Sequence, residues 1–301
     1  MSEEILHVPV MHREVIEFLN PPVGGCFLDG TLGLAGHAAL IAERIGASGR
    51  LIAIDRDQQA LSLAKVKLVG FHGRLDLIHG DFRDFDVVLK DLGVNAVDGM
   101  LFDLGISSFQ LDDPKRGFSF RTEGPLDMRM DQDSFVSAKD LVNTLREEEL
   151  AEIIFRFGEE RFSRRIAKAI TQYRGHKPVE TTKELEEIIF KSVPVFYRRQ
   201  KIHPATRTFQ AIRIAVNREL ESIKLVMDKC ADYLKPGGRV GVIAFHSLED
   251  RIVKENFKSL AKNGVISLVV KKPLRPSDEE IQANPRARSA RFRVAERIAC
   301  N

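Results

Sequence analysis

The chain has 301 residues, 44% of them apolar and 30% charged, with a net charge of +3. That composition suits a soluble globular protein with room for one large domain or one domain carrying an insertion, and it excludes a disordered or fibrous chain. No apolar run approaches the ~18 residues of a membrane span, and the acidic start Met1-Ser-Glu-Glu4 is unlike a signal peptide, so a cytoplasmic protein is expected.

Residues 6–19 carry Val10, Val15, Ile16, Phe18 and Leu19 near helical spacing, and Pro21-Pro22 ends that helix. A rhythm then begins. Cys26-Phe-Leu28 ends in Asp29, Leu51-Ile-Ala-Ile54 in Asp55, and Leu75–Gly80 leads to Asp81. Gly99-Met-Leu-Phe102 ends in Asp103. Helical segments such as 36–45 and 58–69 lie between these runs. Strands alternating with helices predict a parallel sheet covered on both faces, with ligands bound outside the carboxyl ends of the strands.

At Ser107 the rhythm stops. Residues 108–205 read as an arginine-rich helical region, with helices over 138–157, 162–173 and 182–192. Strand pattern returns at Arg239–Phe245, entered through the turn Lys235-Pro-Gly-Gly238, and runs at 265–270 and 290–295 complete the sheet. The division expected is 1–107 and 206–301 as one α/β domain, interrupted by 108–205. Basic residues gather at 156–168, 198–207 and 286–297, which suits a polyanion met over part of the surface or, equally, solvated helix faces. Cys26, Cys230 and Cys300 are scattered and odd in number, so neither disulfides nor a metal site is expected.

The first strand opens into Asp29-Gly-Thr-Leu-Gly-Leu-Ala-Gly-His37. Its glycines, Gly30, Gly33 and Gly36, let backbone approach a ligand. Their spacing is not the G-x-G-x-x-G of a dinucleotide site, and the loop begins with an acid. A nicotinamide-dependent oxidoreductase is therefore disfavoured. S-adenosylmethionine carries an ammonium, a sulfonium and a ribose diol, and Asp29, Asp55 and Asp81 suit it better. Phe82 is placed to pack on adenine or to serve the core. Asp103, with Ser107 and Ser108, suits the reacting end, where a carboxylate accepting an N–H localises the lone pair of an exocyclic amine. The serines serve equally as loop caps. His246, beyond a buried strand, faces either the site or a structural partner. The alternating basic residues of 284–293 suit a loop and strand edge touching phosphates, or a plain exposed strand.

Eight segments together resemble the bacterial ribosomal RNA small-subunit methyltransferase H family, also called MraW. They are His7-Val-Pro-Val10, Asp29–Gly33 with Gly36-His37, Gly80-Asp-Phe-Arg83, Phe102-Asp-Leu-Gly105, Gln110–Met130, Pro204–Gln210, Phe245–Asp250 and Asn284–Ser289. The resemblance spans essentially the whole chain. It implies a Rossmann-like class I methyltransferase fold with a mostly parallel sheet and an inserted helical domain for substrate recognition. It also implies methylation of the exocyclic N4 of one cytidine in small-subunit ribosomal RNA, or in the 30S subunit, with S-adenosylmethionine as cofactor. Carried over by position, the cofactor residues are Ala35, Gly36, His37, Asp55, Phe82, Asp103 and Gln110. Ala35 stands where a second glycine is expected, Phe109 replaces a usual proline and Ala244 a usual serine. A homodimer is compatible with the chain. A ribosome-assembly RNA-binding protein and a methyltransferase with another substrate are the alternatives.

Overall fold

The computed structural model describes residues 9–299, so the expectations that rest on 6–8, on His7 and on Cys300 lie outside the described residues. The chain divides into two compact units, one made of the residues up to Gly105 and from Leu220 on, the other of Ile106–Glu219.

The first unit is built on seven strands: β1 (Cys26–Asp29), β2 (Arg50–Asp55), β3 (Arg74–His79), β4 (Val97–Asp103), β5 (Leu234–Ala244), β6 (Ile266–Leu268) and β7 (Arg291–Arg297). Their order in the sheet is β3-β2-β1-β4-β5-β7-β6. The pairs from β3 through to β5 are parallel, and β7 pairs antiparallel with both β5 and β6. This is the Rossmann-like, mostly parallel sheet expected of a class I methyltransferase. The strands are near-continuous apolar runs because both faces are covered. Leu28, Ile52, Ile54, Met100, Phe102, Val240 and Val242 pack on one side. Phe27, Leu51, Ala53, Leu101 and Ile243 pack on the other.

In chain order the helices are α1 (His12–Leu19), α2 (Gly36–Ile45), α3 (Gln58–Lys67), α4 (Phe85–Asp91), α5 (Ser108–Asp112), α6 (Ala138–Thr144) and α7 (Glu147–Gly158). They continue with α8 (Ser163–Arg174), α9 (Thr182–Ser192), α10 (Val195–Arg198), α11 (Ala205–Asn217), α12 (Glu219–Lys229), α13 (Ser247–Lys262) and α14 (Asp278–Ala283). None among the described residues is long and apolar enough to cross a membrane.

One close approach fixes the middle of the sheet. Gly99 of β4 pairs with Phe27 of β1, and a Cβ on Gly99 would sit 2.1 Å from the Phe27 ring. Gly99→Ala is therefore expected to destabilise the protein by about 1–3 kcal/mol through overpacking, read by chemical denaturation. A variant as stable as the parent would show that Phe27 can move.

The structure departs from the sequence reading in four places. The stretch 138–157 is two helices, because Glu149 folds back to accept the Arg146 N–H and opens a new helix at Glu147. The expected turn 235–238 lies inside β5 as an irregularity: Leu234 pairs with Val97 and Arg239 with Gly99, so the residues between them loop out of the ladder. Gly237 takes a φ of +78° there. The second unit extends past 205 to Glu219. The apolar face of α11 (Ala205, Phe209, Ile212) is buried in the helical core with Leu150 and Ile154. Gly158 lets α7 approach it, a Cβ there meeting the Arg207 carbonyl at 2.5 Å. Finally, 291–297 is not an edge strand, since β5 and β6 flank β7. Its Arg291 and Arg293 pair with Asp250 at 2.9 and 2.7 Å. Only Arg286 and Arg288, on the short turn before it, stand exposed.

Candidate active site

The strand order reverses between β1 and β4, and at such a switch point the carboxyl ends of the strands open a crevice for ligands. Asp29 and Asp103 end the two strands at the switch, and Asp55 ends β2 beside them.

The loop after β1 is tied down residue by residue. The Gly30 N–H donates to Leu101 O at 2.9 Å, and Leu32 N–H to Ile54 O at 3.0 Å. Gly30 must be glycine, because a Cβ would lie 2.4 Å from the Phe102 ring and 3.3 Å from Phe82 Cβ. Thr31 joins the two acids at the switch. Its N–H donates to Asp29 Oδ1 at 3.0 Å, and its Oγ1 accepts the Asp103 N–H at 2.6 Å. Gly33, with φ +51°, donates its N–H to Asp55 Oδ2 at 2.6 Å. Asp55 Oδ1 accepts the Asp57 N–H at 2.8 Å.

Ala35 holds the left-handed conformation, φ 57° and ψ 33°, just before α2, and is fully buried. The departure from glycine is thus accommodated at a cost of about 1–2 kcal/mol in backbone strain. Among the described residues α2 has no side-chain cap, so its first-turn N–H groups suit a carboxylate. Gly36 leaves room for Pro9, which a Cβ would meet at 2.9 Å. His37 is buried in the first turn of α2, its Nε2 2.8 Å from Val10 O and its Nδ1 3.5 Å from Asp103 Oδ2.

Electrostatically the site gathers buried acids. Burial pushes the Asp29 carboxyl up to about 7, and the neighbouring Asp55 adds to that. Burial also raises Asp55. Asp103 is raised well above the usual carboxylate range, by burial first and then by Asp29 and Glu249. Its Oδ1 is buried with no hydrogen-bond partner among the described residues. Such a cluster suits a cationic ligand.

The model of the MraW methylase family matches residues 4–298. The chain belongs to that family. A ribosomal RNA small subunit methyltransferase H from Brevibacillus brevis is 48% identical to it over 307 residues, covering 97% of this chain and 98% of its own length. The protein of that name from Geobacter sp. strain M21 is 46% identical and covers 98% of this chain and 100% of its own. Among solved structures, fibrillarin from Aeropyrum pernix overlaps 94% of this chain and 75% of its own at 11% identity. Its TM-score is 0.42, too low to add to the assignment.

Within this member of the family, the expected site residues fall into two sets. Ala35, Gly36, His37, Asp55, Phe82 and Asp103 belong to the first unit. Ser107, Ser108 and Gln110 belong to the second, at the start of α5. There Ser107 Oγ accepts the Gln110 N–H and Gln110 Oε1 accepts the Ser107 N–H, each at 3.2 Å. That reciprocal cap is the local role weighed for Ser107. Phe82 packs against Phe102, ring centroids 5.9 Å apart, and carries the Arg56 guanidinium over its ring at 5.4 Å.

One expectation is corrected and one pair of alternatives is decided. Asp81 is not an open acid at the site, because it is paired with Arg56 at 2.5 Å and Arg83 at 3.0 Å. His246 caps α13. Its ring lies 3.2 Å from Glu249, whose Oε2 accepts the backbone N–H groups of Phe245 and His246. Two participants escaped the sequence reading. Thr31 is visible only as part of the Asp-Gly-Thr turn. Glu249, fully buried, sits three residues after the histidine as a capping-box signature, which hid its charge beside Asp103.

Proposed function

We propose that the chain uses S-adenosylmethionine to methylate the exocyclic N4 of a cytidine in small-subunit ribosomal RNA, in the cytoplasm where ribosomes are assembled. The observation that carries the reading is the cluster of desolvated acids at the switch point of a MraW methylase. The buried carboxyls of Asp29 and Asp55 and the uncapped start of α2 fit a ligand bearing both cationic centres and a carboxylate. When bound, that cofactor supplies an electrophilic methyl group on a sulfonium.

The chain's own residues do the rest. Ala35, Gly36 and His37 offer the backbone at the start of α2, Asp55 the acceptor for a ribose diol, and Phe82 an apolar wall for adenine. Family resemblance also gives roles to Ser107, Ser108 and Gln110. A cytidine amine is a poor nucleophile, because its lone pair is delocalised into the ring. Asp103 accepting its N–H would localise that pair, and positioning supplies most of the remaining acceleration. The base must leave its stack to reach such a recess, which favours an exposed single-stranded target. The arginine-rich second unit suits the RNA.

Asp29 gives this reading a pH dependence. An aspartate in an unfolded chain titrates near ~3.9, whereas Asp29 in the fold keeps its proton up to about 7. Its contribution to folding is present below the unfolded value and is lost as the pH rises through about 7. A bound cation favours the ionised form, so cofactor affinity runs the opposite way. It is expected to fall roughly tenfold between about pH 8 and about pH 6, with Asp29→Asn weakening that dependence. Calorimetry across this range checks both, and a flat profile in the parent would remove Asp29 from the site.

The deciding experiment is methyl transfer from labelled cofactor to small subunits taken from cells that lack this protein, with the labelled nucleoside identified by mass spectrometry. N4-methylated cytidine is expected. No label, with cofactor binding intact, overturns the substrate and favours the assembly-factor role.

A further inference from the structure

The proton that methyl transfer must remove has no assigned acceptor, and the geometry around His37 supplies one. A carbonyl oxygen can only accept, so the 2.8 Å contact with Val10 O places a hydrogen on His37 Nε2. The other nitrogen, Nδ1, faces Asp103 Oδ2 at 3.5 Å. A bare Nδ1 opposite an ionised carboxylate would set two lone pairs against each other. One proton between them, on either atom, removes that conflict.

We propose that His37 and Asp103 hold one proton between them, and that His37, as a positioning residue, sets when Asp103 is open to receive the proton shed by the target amine. This rests on the methyl-transfer reading above. Among the described residues the charged groups facing Asp103 are Asp29 at the end of β1, Glu249 on α13 and His37 on α2. Two are acids, and His37 is the group among them that can carry positive charge. Backbone contacts fix the pair in place: the Asp103 N–H is held by Thr31 and the far side of the imidazole by Val10.

The step balances. The amine's lone pair forms the N–C bond, and the carbon–sulfur bond breaks with its electron pair left on a neutral sulfur. The amine is then one proton in excess. With the shared proton on His37 Nδ1, Asp103 is ionised, and its unpartnered Oδ1 takes the excess proton. Product release returns one proton to solvent, and the pair keeps the one it began with. Coupled groups of this kind titrate as a pair rather than singly.

The first test needs neither RNA nor cofactor. In the full-length protein labelled with 15N at histidine and 13C at aspartate, the His37 ring and the Asp103 carboxyl are followed by NMR through neutral pH. The pair is expected to hold a single proton at pH 7 in addition to the one on Nε2. An unprotonated Nδ1 together with an ionised Asp103 at that pH would overturn the proposal even if the protein methylates cytidine.

The second test is His37→Gln, whose amide nitrogen can still reach Val10 O but which has no titrating ring. Thermal melting first confirms that the variant is folded. Without the imidazolium, Asp103 must lose its proton against Asp29 and Glu249 with only the bound cofactor's charge to favour it. The acid limb of the single-turnover rate is then expected to move up by about one pH unit. The loss should be roughly tenfold below that limb and should shrink to about threefold or less at alkaline pH. An equal loss at every pH, or none, would reduce His37 to a packing residue. If the parent protein itself transfers no methyl to RNA, the substrate reading fails and the NMR result alone decides the pair.

Discussion

Asp103→Ala is expected to slow methyl transfer roughly 10²–10⁴-fold while the protein stays folded, the span associated with losing a positioned acid–base group. The fold survives because the strand does not depend on this side chain. The backbone N–H of residue 103 is held by Thr31 Oγ1 whatever the side chain, and β4 keeps its pairing with β1 and β5. Among the described residues Oδ1 has no hydrogen-bond partner to lose, and Oδ2 is paired with His37. Removing a carboxylate that burial and two neighbouring acids already disfavour is expected to leave the melting temperature near pH 8 unchanged or slightly higher. Asp103→Asn should lose about as much rate as the alanine variant, because an amide keeps the shape and cannot take a proton. Single-turnover transfer to small subunits, read beside thermal melting, checks all of this. Parent-like turnover in the alanine variant would remove Asp103 from the chemistry.

The parts of this site visible in the sequence are those fixed by strand physics. A strand buried on both faces reads as an apolar run, and an acid where the run stops marks its carboxyl end. Asp29, Asp55 and Asp103 were legible for that reason, as were Gly30 and Gly33 in the turn between. The loop's close approach to Phe82 and Phe102 could not be read, since it depends on rings from β4 and from the turn after β3. Asp81 shows the limit most clearly. It has the same sequence signature as Asp55, an acid after an apolar run. The register that sets Asp55 opposite His79 brings the Arg56 guanidinium to Asp81 and satisfies it, and no local pattern records that pairing.

The same distinction explains what the sequence left open or misplaced elsewhere. His246 and Glu249 are spaced as a capping box or as a site, and only packing decides which. The helix Ala205–Asn217 is amphipathic wherever it sits, so its allegiance to the second unit came from Gly158 and the α7 surface rather than from its own residues. That β7 lies inside the sheet is a property of strand order, to which 291–297 contributes nothing locally.

Asp55→Ala is the second large effect expected, and it falls on binding rather than on chemistry. This carboxylate holds two backbone donors, Gly33 N–H at 2.6 Å and Asp57 N–H at 2.8 Å, so it ties the glycine loop to the end of β2. Hydrogen bonds to a charged acceptor are worth ~1.5–3 kcal/mol each. Losing the acceptor for the ribose diol alone is thus expected to weaken cofactor affinity on the order of 10- to 100-fold. The loosened loop adds to that, because Gly33 has open space around it and loses one of the hydrogen bonds that hold its left-handed turn. RNA affinity should change by no more than about threefold, since the reading gives RNA contacts to cationic groups. Asp55→Asn separates the two contributions. Its single carbonyl oxygen can serve Gly33 or Asp57 but not both, so affinity should fall between the parent and the alanine variant. Calorimetry with cofactor, and filter binding with ribosomal RNA, give the two numbers. A larger loss for RNA than for cofactor would reverse the assignment, and equal losses would mean that the loop, rather than the diol contact, is what Asp55 supports.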